Sequence, residues 1–245
     1  MGETILFSAA ELTGRARTHI VDVEQPRCSL HYAVVRPFMA MRLSAKADGI
    51  DLVPASSFRD FGRQLAIWNG KCRGERTLLG ASGEVLDPRT LTGEQLVAAI
   101  LRWSALPGAS RHHWGTDMDV IDAAVLPAGY AVQFVPEEYA AGGVFASLNE
   151  WLHRNAAAHG FFRPYATFRG GVQPEPWHLS YAPVASQALA QFSVDMLHAA
   201  LDAEDLEAAE SVLRQLPQIV QRYVRDIDAP ALPAQRAVSS GTRPV

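Results

Sequence analysis

The chain has 245 residues, 48% of them hydrophobic, enough for one well-cored domain with a smaller addition and too few for two full domains. A formal net charge of -4 and a pI near 6.1 leave no basic footprint for nucleic acid or for an anionic membrane surface. No stretch approaches the roughly eighteen consecutive apolar residues of a membrane helix, and Cys28 and Cys72 are too few for a disulfide framework and lack metal-site spacing.

Residues 1–7 carry no basic segment ahead of a long apolar run, and Glu11, Arg15 and Arg17 introduce charge soon after. A cytoplasmic protein with reduced thiols is expected. Pro37 suits the first turn of a helix, Phe38, Met41 and Ala45 recur at helical spacing, and Gly49 supplies a stop. A strand is predicted over 50–57, delivering Arg59 at its end. Asp60 then caps a helix from 61 to about 69, with Gly70 at its terminus, which sets Gln64 near first-turn N–H groups that favour an anion. Thr92-Gly93-Glu94-Gln95 is a capping box ahead of Leu96, Ile100 and Trp103, and Pro107 and Gly108 end that helix. Residues 116–121 read as a strand holding Asp119 on a rigid element. Phe145, Leu148, Leu152 and Ala156 predict a helix closing at Gly160, and 177–181 a further short strand after Pro174 and Pro176. Beyond Pro183 come amphipathic helices, including 204–216 and 218–227, with Glu204, Asp205, Glu207 and Glu210 as a solvated face. Residues 229–245, rich in Pro, Ala and Ser, are expected to be disordered.

Two segments carry the chemistry: Ser110-Arg111-His112-His113-Trp114-Gly115-Thr116-Asp117-Met118-Asp119 and, farther on, Glu175-Pro176-Trp177-His178. A catalytic zinc takes three protein ligands and keeps one position open for water, and His112, Asp119 and His178 would supply two nitrogens and one oxygen. Glu175 would be the base beside that water, whose pKa a metal lowers from about 15.7 towards roughly 7. Neither the helical H-E-x-x-H motif nor a G-x-S-x-G nucleophile elbow occurs. His113 reads as a packing or surface residue on the opposite side of an extended chain, Trp177 as a packing anchor and Gly115 as a backbone requirement.

These segments resemble the VanY-type zinc D-alanyl-D-alanine carboxypeptidases, whose pattern is S-x-H-x-x-G-x-A-x-D with E-x-W-H downstream. Ser110, His112, Gly115 and Asp119 fall on it, as do Glu175, Trp177 and His178. The run from Ser56 to Gln64 is similar to the family's S-G-[YF]-R-x-x-x-x-Q substrate segment, with Ser57 in place of glycine, so the resemblance spans residues 30–183. One position departs: the family's alanine is Asp117, which shares a strand face with Asp119 and would be a spare ligand, an orienting acceptor or an ion-pair partner.

The resemblance and the element pattern together imply an α+β fold. A small antiparallel sheet carries the zinc site, helices flank it, and a helical appendage ends the chain. The expected divisions are an N-terminal segment at 1–29, a catalytic domain at 30–183, C-terminal helices at 184–228 and the tail at 229–245. The resemblance further implies one Zn2+ per chain, Glu175 and Arg59 as catalytic groups, and Arg59, Gln64 and Ser110 as the holders of a substrate carboxylate. The substrate would be a peptidoglycan stem peptide or muropeptide that loses its C-terminal D-alanine. A D,D-activity in the cytoplasm would destroy the pentapeptide precursor, so an L,D-carboxypeptidase on tetrapeptides in murein recycling is the expectation. The alternatives are a D,D-carboxypeptidase or dipeptidase, a phage-type endopeptidase and, in a different class, a zinc-stabilised binding module without turnover, like the hedgehog signalling domain. Neither nucleic acid nor membrane is an expected partner, and the C-terminal helices would suit a homodimer.

Overall fold

The computed structural model describes residues 4–202 and 204–230, so the expected tail lies outside the described residues except for its first two positions. Ser8 and Glu11 close a capping box on the short helix α1 (Ala9–Leu12), which leads to a hairpin of β1 (Ile20–Val23) and β2 (Cys28–His31). Helix α2 (Tyr32–Ala47) begins where His31 Nδ1 accepts from the Ala33 N–H, five residues ahead of the predicted start at Pro37. The reason is burial. Val34, Phe38, Met41 and Ala45 form one fully buried stripe, and that packing carries the helix through a proline that removes a single backbone bond.

Strand β3 (Leu52–Ser56) lies at a sheet edge, where Pro54 is tolerated. In α3 (Phe61–Cys72), Asp60 Oδ1 accepts from the Arg63 N–H at 2.7 Å, as expected of a cap. The helix continues past Gly70 instead of stopping there, because that glycine serves a close approach: a Cβ on it would sit 3.2 Å from the Arg76 side chain. A two-strand hairpin, β4 (Leu78–Leu79) with β5 (Val85–Leu86), precedes α4 (Gly93–Leu101), which starts in the predicted Thr92–Gln95 capping box.

Next in the chain are β6 (Asp117–Asp122), α5 (Pro136–Tyr139), α6 (Ala146–Asn155), β7 (Phe161–Phe162), β8 (His178–Tyr181), α7 (Ala182–Gln191), α8 (Val194–Leu201), α9 (Ala209–Arg214) and α10 (Leu216–Val220). The last runs into a π-helical turn over Gln221–Arg225. The helix predicted from 204 starts only at Ala209. Asn69 and Trp68 of α3 capture the backbone ahead of it: Asn69 Nδ2 donates to the Asp205 carbonyl, Trp68 Nε1 donates to that of Glu207, and Asn69 Oδ1 accepts from the Glu207 N–H.

The main sheet runs β3-β6-β8-β7, antiparallel throughout. The chain has the mixed helix-and-sheet fold with small antiparallel sheets that the sequence implies. All six residues of β6 are buried, since β6 is paired on both sides and covered. One apolar core lies between this sheet and α2 and α6, around Phe38, Leu52, Val120, Leu152 and Leu179. A second gathers α3, α4 and the C-terminal helices around Trp68, Ile100, Phe192, Leu197 and Ile219, so the apolar sides of those helices face inward. Among the described residues no helix is long and apolar enough to cross a membrane.

Candidate metal centre and active site

The register of the sheet builds the site. Asp119 in the middle of β6 stands opposite His178, the first residue of β8, as a cross-strand pair. His112 comes from a 3-10 turn over Arg111–Trp114 that ends at Gly115 with φ +66. A Cβ on Gly115 would lie 2.7 Å from the His31 backbone nitrogen, so this glycine answers both a left-handed φ and a close approach.

One ligand atom from each of His112, Asp119 and His178 lies within 4.8 Å of the other two. His112 Nε2 is 3.4 Å from Asp119 Oδ2, and His178 Nδ1 is 3.4 Å from Asp119 Oδ1. Bonds of about 2.0–2.1 Å at tetrahedral angles set ligand atoms roughly 3.4 Å apart, so the donor set fits a zinc-sized ion. The outer nitrogens are already committed. His112 Nδ1–H donates to the Ser57 carbonyl at 2.9 Å and His178 Nε2–H to Asp117 Oδ1 at 2.9 Å, which turns His112 Nε2 and His178 Nδ1 toward the centre.

Glu175 sits between Pro174 and Pro176, its N–H donating to the Tyr165 carbonyl at 2.9 Å, and Oε2 lies 3.0 Å from His178 Nδ1. Its carboxylate therefore borders the centre without being needed as the third ligand.

Burial pushes Asp119 up to about 6, with the His178 charge opposing. Burial alone would lower His178, but its bonds to Asp117 and Glu175 and the charge of Asp119 carry it up to about 10. His112 falls well below its ordinary range through burial, reinforced by Arg59 and His178. Near neutrality the metal-free centre thus holds one imidazolium proton on the nitrogen a metal would take. A raised pKa means that proton is present below about 10 and lost above it. Zinc uptake near pH 7.5 is therefore expected to release about one proton, with affinity rising with pH in that range. Calorimetry in buffers of different ionisation enthalpy measures the number. Uptake with no proton released would contradict the assignment of His178.

Asp117 resolves as an orienting acceptor and an ion-pair partner. Its Oδ1 accepts from Arg111 Nε at 2.8 Å as well as from His178, and Oδ2 accepts from Thr116 Oγ1 and Ser180 Oγ. Burial would raise this carboxyl, but Arg111 and His178 hold it well below the usual carboxylate range. The ion pair is buried, with side-chain exposures of 1% and 0%, and Arg111 Nη2 also donates to Ser180 Oγ. Removing one partner of such a pair costs about 3–5 kcal/mol. Asp117→Ala is thus expected to destabilise the fold by that amount and to weaken zinc binding roughly 10–100-fold, as loss of a carboxylate behind a ligating histidine does. Adding Arg111→Met should restore stability but not affinity. Urea unfolding and a zinc competition titration read the two effects separately.

The residues expected to hold a substrate carboxylate take different posts. Arg59 lines the cavity beside the centre, Nη1 donating to Gln64 Oε1 at 2.8 Å and Nη2 to Ser56 Oγ at 3.1 Å, with Nε buried and unpartnered among the described residues. Ser110 lines the same cavity. Gln64 is fully buried, its Nε2 donating to the Ala105 carbonyl at 2.7 Å, so both ends of its amide are in use. It holds Arg59 and does not face an anion at the helix start. His113 is a packing residue, although the chain there is a tight turn and not extended: Nδ1–H donates to the Arg59 carbonyl and Nε2 accepts from the Gly108 N–H. Trp177 packs against Phe134 and Tyr139.

Sequence reasoning did not single out Arg111, Ser180 or the Ser57 carbonyl. The signal for Arg111 was the aspartate itself, since a carboxylate on a buried strand demands a buried counter-charge.

Two imidazoles and a carboxylate converging beside a cavity that also presents a second carboxylate is the donor arrangement of mononuclear metal-dependent hydrolases. Within that class the chain belongs to the VanY family, D-alanyl-D-alanine carboxypeptidase, whose profile matches residues 27–184. A Haemophilus influenzae protein described as uncharacterized is 39% identical over 121 residues, 49% of this chain and 92% of that one. A D-alanyl-D-alanine carboxypeptidase of Enterococcus faecalis is 27% identical over 147 residues, 58% of this chain and 44% of that protein, so the chain spans less than half its length. The solved structure of VanYB in complex with D-Alanine-D-Alanine has 20% identity and a TM-score of 0.49, covering 76% of this chain and 89% of that one.

Proposed function

We propose that the protein is a zinc-dependent carboxypeptidase that removes the C-terminal D-alanine from peptidoglycan stem peptides, acting as an L,D-carboxypeptidase on tetrapeptides in the cytoplasm. The observation that carries this reading is the convergence of His112 Nε2, Asp119 and His178 Nδ1 with Glu175 in the lining of a cavity of about 310 Å³ that Arg59 and Ser110 also line. Zinc held there would supply Lewis acidity and bring the pKa of its water from about 15.7 towards roughly 7.

Arg59, kept in place by Gln64 and Ser56, would receive the terminal carboxylate of the peptide on the part of its guanidinium that lines the cavity. Glu175 would take the proton of the attacking water and return it to the departing amine. The compartment we propose is the cytoplasm. In such a compartment pentapeptide must survive, which favours the tetrapeptide as substrate.

Tetrapeptide and pentapeptide stems, each with a free or an amidated C-terminus, test this in one assay. Free-acid tetrapeptide is expected to be cut best. Amidation should lower kcat/KM roughly tenfold or more, because a charge-assisted hydrogen bond is worth about 1.5–3 kcal/mol. A preference for pentapeptide would assign the D,D-activity, and equal cleavage of acid and amide would make the protein an endopeptidase.

A further inference from the structure

The cavity that holds the metal-binding residues is also lined by Ile67 and Lys71 of α3 and by Ile219 and Tyr223 of the C-terminal segment. Lys71 is the lysine of that lining. It stands seven residues after Gln64, two turns on and about 10 Å along the helix axis, on the same helix face. Among the described residues its side chain makes no hydrogen bond and no ion pair. Burial lowers its pKa, Arg76 pushes the same way, and Glu175 is close enough to pull against them. An ammonium drawn partly out of water beside a like charge, with nothing to pair it, is costly unless a ligand brings the counter-charge. The cavity wall thus carries two cations that a substrate could meet: Arg59, held by Gln64 and Ser56, and Lys71, which makes no direct ion pair.

We propose that Lys71 is a specificity-determining residue that binds a second carboxylate of the substrate, one borne by the residues that precede the released one. The inference rests on the carboxypeptidase reading and narrows its substrate class to peptides with two carboxylates. With Arg59 holding the terminal carboxylate, Lys71 in the same cavity lining would meet a second anion borne earlier in the peptide. Helix α3 serves both carboxylates, because the face that fixes Arg59 through the Gln64 amide also carries Lys71, which lines the cavity.

The test uses zinc-loaded wild type, Lys71→Met and Lys71→Arg, with peptides ending in D-alanine. The penultimate or antepenultimate residue carries a carboxylate, or the same group amidated. Both kcat/KM and equilibrium binding of each peptide are measured. Wild type is expected to favour one acid over its amide by roughly tenfold or more. In Lys71→Met that ratio should fall to about one, and in Lys71→Arg it should persist. A merely structural lysine would leave the ratio intact while lowering both rates. A wild type that treats every acid and amide alike, or a ratio unchanged in Lys71→Met, overturns the proposal. If no peptide is cut but binding still shows a Lys71-dependent preference for acid, the carboxypeptidase reading fails and the carboxylate subsite stands.

Discussion

Glu175→Gln is expected to retain zinc and the fold while kcat drops by roughly 10²–10⁴-fold or more, since a general base contributes that much and Glu175 would act twice, first on the attacking water and then on the leaving amine. The geometry makes the substitution clean. The Glu175 backbone is pinned by Pro174, Pro176 and the bond to the Tyr165 carbonyl, so an isosteric amide keeps its place. The three ligand atoms come from other residues, so metal content should not change. Because chemistry and not substrate holding is lost, the fall should appear in kcat with KM little altered. Near-wild-type turnover by a zinc-replete Glu175→Gln protein would remove Glu175 from the mechanism and favour a binding module.

The second large effect belongs to the ligands. His112→Ala, Asp119→Ala and His178→Ala should each abolish activity together with stoichiometric zinc, because two remaining donors do not make a closed three-ligand site. The three variants should differ in stability. Asp119 is pushed up to about 6 by burial, so removing it relieves a group that is costly to ionise in the metal-free protein. Loss of His178 strips Asp117 of a partner while leaving Arg111 to hold its charge. Metal analysis of the purified variants checks the assignment, and full zinc in all three would refute it.

Much of the site was legible in the sequence because its ligands obey short-range rules. Asp119 stands in a strand whose alternation is visible, and the turn that presents His112 is marked by Gly115. The pairing of Asp119 with His178 joins residues from two distant segments, and only the motif gave it away. The features that the sequence did not disclose are tertiary in origin. Gln64 looked like an anion binder because of its place in the first turn of α3. The Ala105 carbonyl and Arg59, brought in from elsewhere, occupy both ends of its amide. Helix α2 begins ahead of Pro37 because a buried stripe outweighs one missing hydrogen bond. The delayed start of α9 arises from side chains on α3 claiming the backbone of residues 205–207, which no local propensity encodes. Nor does amphipathic spacing say that Ile219 and Tyr223 will wall the cavity that holds the metal ligands.

The most direct test of the central claim is mass spectrometry of the products when zinc-loaded, chelator-stripped and zinc-restored protein is incubated with a tetrapeptide stem. Loss of one terminal alanine with zinc, none after stripping and recovery on restoration is the predicted result. Cleavage that survives complete removal of the metal, or a cut at an internal bond, would contradict it.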